Sequence, residues 1–342
     1  MSVELVHERE RDQWDEYVTA AAPDRLYHLW VWREVIEETF GHRPYYLAAR
    51  EGGKIRGVLP LIFIRSRIFG KSLVSIPFFS YGGVLADSAA VCEELLGGAV
   101  THAGKLGANH IELRQGDECR MSWKGVTTKV TMEIELPSSA DEYWKRLSSG
   151  MRNKLRQGQK YNFRAEWGGR ELLGVFYNLF ATNMRNLGTP VYSPRFFRNQ
   201  MSRLGDRVRL LTLWDGDQAV AASFLTAHGD TLELPWSASL PESRKKYSQL
   251  TMYWVFIQKA IEEGFKKIDL GRCTPGGGNY EFKRHWRPVE RPLHWYYWLA
   301  RGASMPNLRP DNPKFRLATE IWKRLPLAVA NGLGPRLVRS IP

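Results

Sequence analysis

Eighteen consecutive residues concentrate the chemistry of this chain: Asp269-Leu-Gly-Arg-Cys-Thr-Pro-Gly-Gly-Gly-Asn-Tyr-Glu-Phe-Lys-Arg-His-Trp286. The apolar run from Lys267 to Leu270 reads as a buried strand that delivers Asp269 and Arg272 to a glycine-rich loop. Glycines let a backbone close tightly around a ligand. Arg272 and Lys283 are suited to phosphate or to an oxyanion developing in a transition state. Tyr280, Phe282 and Trp286 would shape the pocket. Asp269 lies in an apolar setting, where desolvation raises a carboxyl pKa towards the range of a general base. It serves equally well as a structural partner for Arg272. Glu233, just ahead of Leu234-Pro-Trp236, is a second base if it faces inward. His285 and His294 lie close by, but lone histidines are more often structural.

Further groups could hold substrate. Arg185 and Tyr192 flank a loop, Asn186 to Pro190, that follows a predicted helix and could meet an acceptor; an exposed Arg at a helix end explains it equally. Trp236 stands on a predicted strand. Arg152, Arg156 and Lys160 recur every four residues, so they share one helical face. Such a face fits the phosphates of tRNA or a nucleotide sugar, or is simply solvated. No Gly-x-Ser-x-Gly elbow is present, so no covalent serine chemistry is expected. Gly104-Lys-Leu-Gly107 and Gly276-Gly-Gly278 are weak candidates for a phosphate-binding loop.

The elements that must position these residues come from a chain of 342 residues, 43% apolar and 12% aromatic, which is globular in composition. The net charge of +13 favours an anionic partner: nucleotide, tRNA, anionic lipid or acidic sugar. Cys92, Cys119 and Cys273 are widely spaced and form no Cys/His cluster, which argues against zinc and fits a reducing cytoplasm. The charged N-terminus has no signal-peptide core. No run approaches the roughly 20 apolar residues of a membrane span.

Periodicity predicts helices over 9–22, 28–40, 89–106, 140–160, 171–186 and 250–263. Strands are predicted over 45–50, 55–65, 110–114, 208–214, 219–227, 231–237 and 267–270. Gly53 aligns in pattern with Gly216, and Gly107 with Gly264, at separations of 163 and 157 residues. Such offsets suggest a duplicated unit of about 160 residues. Expected boundaries are residues 1–137, residues 138–300 with the presumed active site, and a basic tail over 301–342. That tail holds eight Lys or Arg against two acids. Residues 304–313 read as a linker, after which Phe315, Leu317, Ile321, Trp322 and Leu325 line one side of a helix. A basic amphipathic tail either docks on its own domain or lies on an anionic membrane.

The repeated order resembles the GNAT acyltransferase layout, and tandem GNAT units resemble the Fem-like aminoacyltransferases. Asn183-Met-Arg-Asn-Leu-Gly-Thr-Pro-Val-Tyr192, Pro235-Trp-Ser-Ala-Ser239, Asp269-Leu-Gly-Arg-Cys-Thr274, Tyr280-Glu-Phe-Lys283 and Pro292-Leu-His-Trp295 resemble the FemAB-related proteins associated with exosortase/PEP-CTERM systems. The resemblance implies an α/β fold of tandem GNAT-like domains, mixed sheets flanked by helices. It implies transfer of an acyl or aminoacyl group to an amine of a cell-envelope or exopolysaccharide precursor. Phe282-Lys283 matches a Phe-Lys pair at the family's transfer site, so Lys283 would stabilise charge on the reacting carbonyl or on a phosphate. Trp286 stands where the family often has Phe, and Arg287 where this branch often has Gly. No permanently bound cofactor is expected; the donor would be acyl-CoA or aminoacyl-tRNA. The expected location is cytoplasmic, with peripheral contact at the inner face of the membrane through the tail. Alternatives are acetyl-CoA-dependent N-acetylation of an amino sugar, and a non-catalytic basic scaffold.

Overall fold

Turn chemistry sets the first hairpin. The structure, a computed structural model, describes residues 1–67, 69–119, 121–306 and 313–341, with backbone alone over 313–316. Gly52 and Gly53 take positive φ, a conformation that favours glycine, and join two long strands. The elements run β1 (Ser2–Leu5), α1 (Arg11–Ala21), α2 (Val31–Phe40), β2 (Arg43–Glu51), β3 (Lys54–Ser66), β4 (Gly70–Val74), β5 (Leu85–Ala86), α3 (Ala89–Leu106) and β6 (His110–Gln115). Ser88 caps α3 by accepting from the Val91 N–H, and Gly107 ends it in the left-handed region. β7 (Lys124–Glu135) follows.

Next come α4 (Ala140–Arg146), α5 (Ser149–Gln159), β8 (Arg164–Gly168), α6 (Leu173–Leu187), α7 (Pro194–Leu204), β9 (Val208–Asp215), β10 (Gln218–His228) and β11 (Thr231–Ser239). The described chain closes with α8 (Ser248–Glu262), β12 (Lys267–Cys273), α9 (Gly278–Arg284), β13 (Val289–Leu299), α10 (Pro313–Arg324) and α11 (Leu327–Val338).

The chain divides into two compact units. The first comprises Met1–Lys129, Pro292–Arg309 and Arg339–Pro342; the second comprises Val130–Arg291 and Pro310–Val338. In the first, the strand order is β1-β2-β3-β4-β6-β13, with β5 on β3. The β4–β6 pair is parallel and α3 connects it. Leu47, Leu59, Leu61 and Ile111 from the sheet pack with Leu95 and Ala99 of α3. In the second, the order is β7-β12-β11-β10-β9-β8. β11 and β12 form the parallel pair, connected by α8. Met132, Ile134, Leu232 and Ile268 from the sheet pack with Tyr253, Phe256 and Ile257 of α8. Each unit is therefore an α/β layer built on a hairpin followed by a parallel strand–helix–strand crossover.

The unit boundaries differ from those expected at 137 and 300. β13 pairs with β6, which brings the chain after Pro292 back to the first unit. The helices α10 and α11 pack on α6 of the second unit. Such long-range pairings leave no local mark in a sequence. The linker expected over 304–313 falls largely outside the described residues, as does the Phe315 side chain. The single helix expected over 140–160 is two helices. Leu147 turns to extended backbone, and Ser148 restarts the chain by accepting from the Met151 N–H.

The Ser148 cap generates a test. Ser148→Ala should cost about 1 kcal/mol of stability, and Ser148→Gly only a few tenths. Chemical denaturation reads both; an unchanged midpoint for Ser148→Ala would mean the cap carries no weight.

Candidate active site

β12 is the strand around which the candidate site is built. Its first three residues pair with β11 in parallel: Lys267 with Thr231, Ile268 with Leu232, Asp269 with Glu233. There the pairing stops, although β11 runs on to Ser239 and β12 to Cys273. Beyond this level β11 keeps β10 as its partner and β12 keeps β7. The two central strands thus part just past Glu233 and Asp269, leaving inner strand edges without a ladder between them. The parting coincides with a bulge in β12 between Asp269 and Arg272. Gly271 takes a φ of +74° at that bulge, where a side chain would be strained.

Two buried groups hold the bulge. Asp269 is 5% exposed, and its Oδ1 accepts from Thr131 Oγ1 and from the Gly271 N–H, both at 2.7 Å. Lys283 is 4% exposed, and its Nζ donates to the carbonyls of Gly271 (2.9 Å) and Arg272 (3.2 Å). Burial pushes the Lys283 pKa below its ordinary value, while Cys273 and Asp269 oppose that shift and Arg272 adds to it. The glycine-rich loop covers residues 274–277, and α9 begins at Gly278 and carries Tyr280, Phe282 and Lys283. That helix is what lets Lys283 reach back beneath β12.

Glu233 is also buried, with 9% exposure, and is therefore the inward-facing acid. Register places Glu233, Asp269 and Glu133 side by side on β11, β12 and β7. By strand alternation they share one face, opposite the face carrying Leu232, Leu234, Ile268 and Leu270 into the α8 core. Arg291 binds Glu133 at 2.5 Å. Thr131 and Glu133 were not anticipated from sequence; only the β7–β12 register reveals them.

Other expected site residues lie elsewhere in the second unit. Trp286 is fully buried and stacks on Tyr253 at 5.6 Å, so it is a core anchor, not a pocket wall. Tyr143 fixes it further by donating to the Trp286 carbonyl. Phe282 meets Tyr253 edge-on at 5.0 Å. The Tyr280 hydroxyl donates to both carboxylate oxygens of Glu290 at 3.0 Å, and this bond raises its pKa. Tyr192 and Trp236 belong to an aromatic cluster with Phe196, Phe197 and Phe224, in which Trp236 sits 5.2 to 6.0 Å from its neighbours. Both residues are half-buried in this cluster.

The basic side chains are also engaged. Arg185 donates to the Lys323 carbonyl at 3.4 Å, tying α6 to α10. Arg152 reaches the Lys145 carbonyl at 3.4 Å, and Arg156 lies 5.6 Å over the Trp144 ring, so both fold back on α4. The Gly104–Gly107 segment is the closing turn of α3. A basic segment not singled out from sequence, Arg244-Lys245-Lys246, directly precedes α8. Arg244 contacts Ser239 and Asn183, and Lys246 pairs with Asp215. Tyr247, left-handed at φ 60°, starts α8 without a side-chain cap.

Residues 145–284 match a family model described as an acetyltransferase (GNAT) domain. This stretch contains β11, α8, β12 and Lys283. Three solved structures share the fold. FemX aligns with a TM-score of 0.69 at 15% identity, covering 93% of this chain and 100% of that chain. L-PGS from Bacillus licheniformis aligns with a TM-score of 0.56 at 9% identity, covering 94% and 99%. A tandem GNAT protein from the clavulanic acid biosynthesis pathway aligns with a TM-score of 0.54 at 10% identity, covering 90% and 100%. At these identities the likeness is one of fold. No curated protein matches the chain in sequence. The chain is thus an α/β protein with a GNAT domain and the fold of tandem GNAT proteins.

The burial of Lys283 has a pH signature. The unfolded chain releases this proton near 10.5, and the folded chain releases it at lower pH. Between those values the unfolded state binds more protons, so stability rises with pH. Each unit of depression adds about 1.4 kcal/mol across the window. Urea midpoints of the wild type, minus those of Lys283→Met, should climb from neutral pH towards 10.5. A flat difference would show that Lys283 titrates as if exposed.

Proposed function

We propose that the second unit is an acyltransferase, in which the parting of β11 and β12 receives the activated donor. The observation that carries this reading is the end of the parallel pairing at Glu233 and Asp269 inside the GNAT-matching segment. The β11 edge freed past Glu233 offers backbone N–H and C=O groups to an extended, amide-bearing donor arm. The uncapped start of α8, with Arg244 and Lys245 beside it, suits the donor's phosphates, because helix N-termini and cations both favour anions. This supplies the phosphate site that the glycine segments lack.

Transfer to an amine requires removal of its proton and stabilisation of the carbonyl oxygen. Glu233 stands where the strands part and is the group we assign as proton acceptor. Asp269, whose Oδ1 accepts the two bonds that fix the bulge, remains the alternative. Lys283 places positive charge under the Gly271–Arg272 peptide, where the reacting carbonyl would lie against β12. Arg272 would hold the donor or the acceptor at the same bulge, and Tyr280 and Phe282 border it from α9. The acceptor in this reading is an amine on a cell-envelope or exopolysaccharide precursor, a choice supported by the motif resemblance. The donor is an acyl-CoA or an aminoacyl-tRNA. Acetyl-CoA-dependent acetylation of an amino sugar is the second reading; the family model's description supports its acetyl donor.

The test is transfer by the purified chain, read by mass spectrometry with CoA thioesters and aminoacyl-tRNA as parallel donors and amino sugars and peptide amines as acceptors. Glu233→Gln should lower kcat by about 10²- to 10⁴-fold with a smaller change in donor KM. Full turnover in that variant would remove Glu233 as the base. Absence of transfer from every donor would refute the enzyme reading.

A further inference from the structure

We propose that α10 and α11 form a face that seats the protein on an anionic membrane surface. Each helix buries one side in the second unit and leaves a second apolar side uncovered. Trp322 is the buried anchor of α10, and Ala330, Gly334 and Val338 form the buried side of α11. Gly334 lies so close to Val191 that a Cβ there would come 2.8 Å from the Val191 nitrogen. Next to these anchors, Leu317 is 70% and Ile321 54% exposed on α10. On α11, Val329, Leu333 and Leu337 are each 39 to 43% exposed. Spacing by four residues puts each set on one helical face. Leu187, 56% exposed at the end of α6, adjoins α10, since a Cβ on Gly188 would strike Thr319. Most of the large exposed apolar side chains among the described residues therefore gather here.

Charge identifies the occupant. From residue 321 to 342 the sequence has four Lys or Arg and no acid. Lys323, Arg324 and Arg336 accompany the apolar positions, and the one acid of α10, Glu320, is paired with Lys323 at 2.7 Å. Apolar side chains flanked by cations are the pattern of a helix lying in an anionic bilayer interface. A symmetric contact with a second copy would set these cations against themselves. At 12 residues each, the helices are far below the roughly 20 needed to span, and no described helix is long and apolar enough to cross a membrane. They would lie in the plane of the interface, held to the second unit by their packing on α6 and by the close approach of Gly334 to Val191.

Cosedimentation of the full chain with vesicles tests this. Phosphatidylcholine vesicles with about 30% phosphatidylglycerol should bind the protein at least about tenfold more strongly than phosphatidylcholine alone. Binding should fall steeply as salt is raised to about 0.5 M. The double variant Leu317→Ser/Ile321→Ser and the double variant Lys323→Glu/Arg324→Glu should each weaken it by about tenfold. Both alter exposed or half-buried side chains, and circular dichroism verifies their fold. The proposal is overturned by absence of binding to anionic vesicles, or by binding that neither variant weakens. It is overturned equally by a reversible dimer that Leu317→Ser/Ile321→Ser abolishes, which would assign the face to a second copy.

Discussion

A buried ammonium group under a bulged strand is the constraint on which the candidate site rests. Lys283 donates to two successive carbonyls at the bulge: that of Gly271, which is left out of the β7–β12 register, and that of Arg272, where the register resumes opposite Thr131. Buried carbonyls without partners are costly, and so is a buried charge without acceptors. Each solves the other's problem. Asp269 completes the arrangement by holding the Gly271 N–H and the Thr131 hydroxyl. Loss of Lys283 would leave the bulge with open hydrogen-bond acceptors, and the strand would be driven towards a different path.

The surrounding scaffold makes this arrangement stiff. Trp286, three residues after Lys283, is locked between Tyr253 and the rest of the α8 core. A buried Trp contributes several kcal/mol of packing. Its carbonyl is held by Tyr143. The short α9 is thereby pinned at its C-terminal end, and Lys283 cannot swing into solvent without dislodging a large aromatic. A group expected to line a pocket turns out to fix the position of the group that matters. Rigid support of this kind is what an electrostatic site needs, since preorganised charge costs no reorganisation during reaction.

Local signals in the sequence were reliable wherever the chain's own chemistry decides the outcome. The α3 helix ends at Gly107, and the β9–β10 turn falls at Gly216, because glycine alone enters the left-handed region cheaply. The strands carrying Glu233 and Asp269 were readable, but the side to which Glu233 faces was not. What could not be read depends on distant partners. β7 and β13 are set by pairing with strands far along the chain, so neither Thr131 nor Glu133 could be tied to Asp269 beforehand. Glycines 276 and 277 do lie in a loop, but the short helix that begins at Gly278 was not read. Arg185 and Tyr192 looked like binding groups because they flank a loop, and Trp236 because it lies in a motif of the family resemblance. Tertiary packing against α7 and α10, which no local signal announces, engages all three.

Backbone amide hydrogen exchange tests the central claim most directly. With a CoA thioester or an aminoacyl-tRNA bound, the account predicts new protection concentrated in Leu234–Ser239 and Leu270–Cys273, the inner edges left by the parted strands. Donor binding that protects other segments while leaving these two unchanged would contradict it.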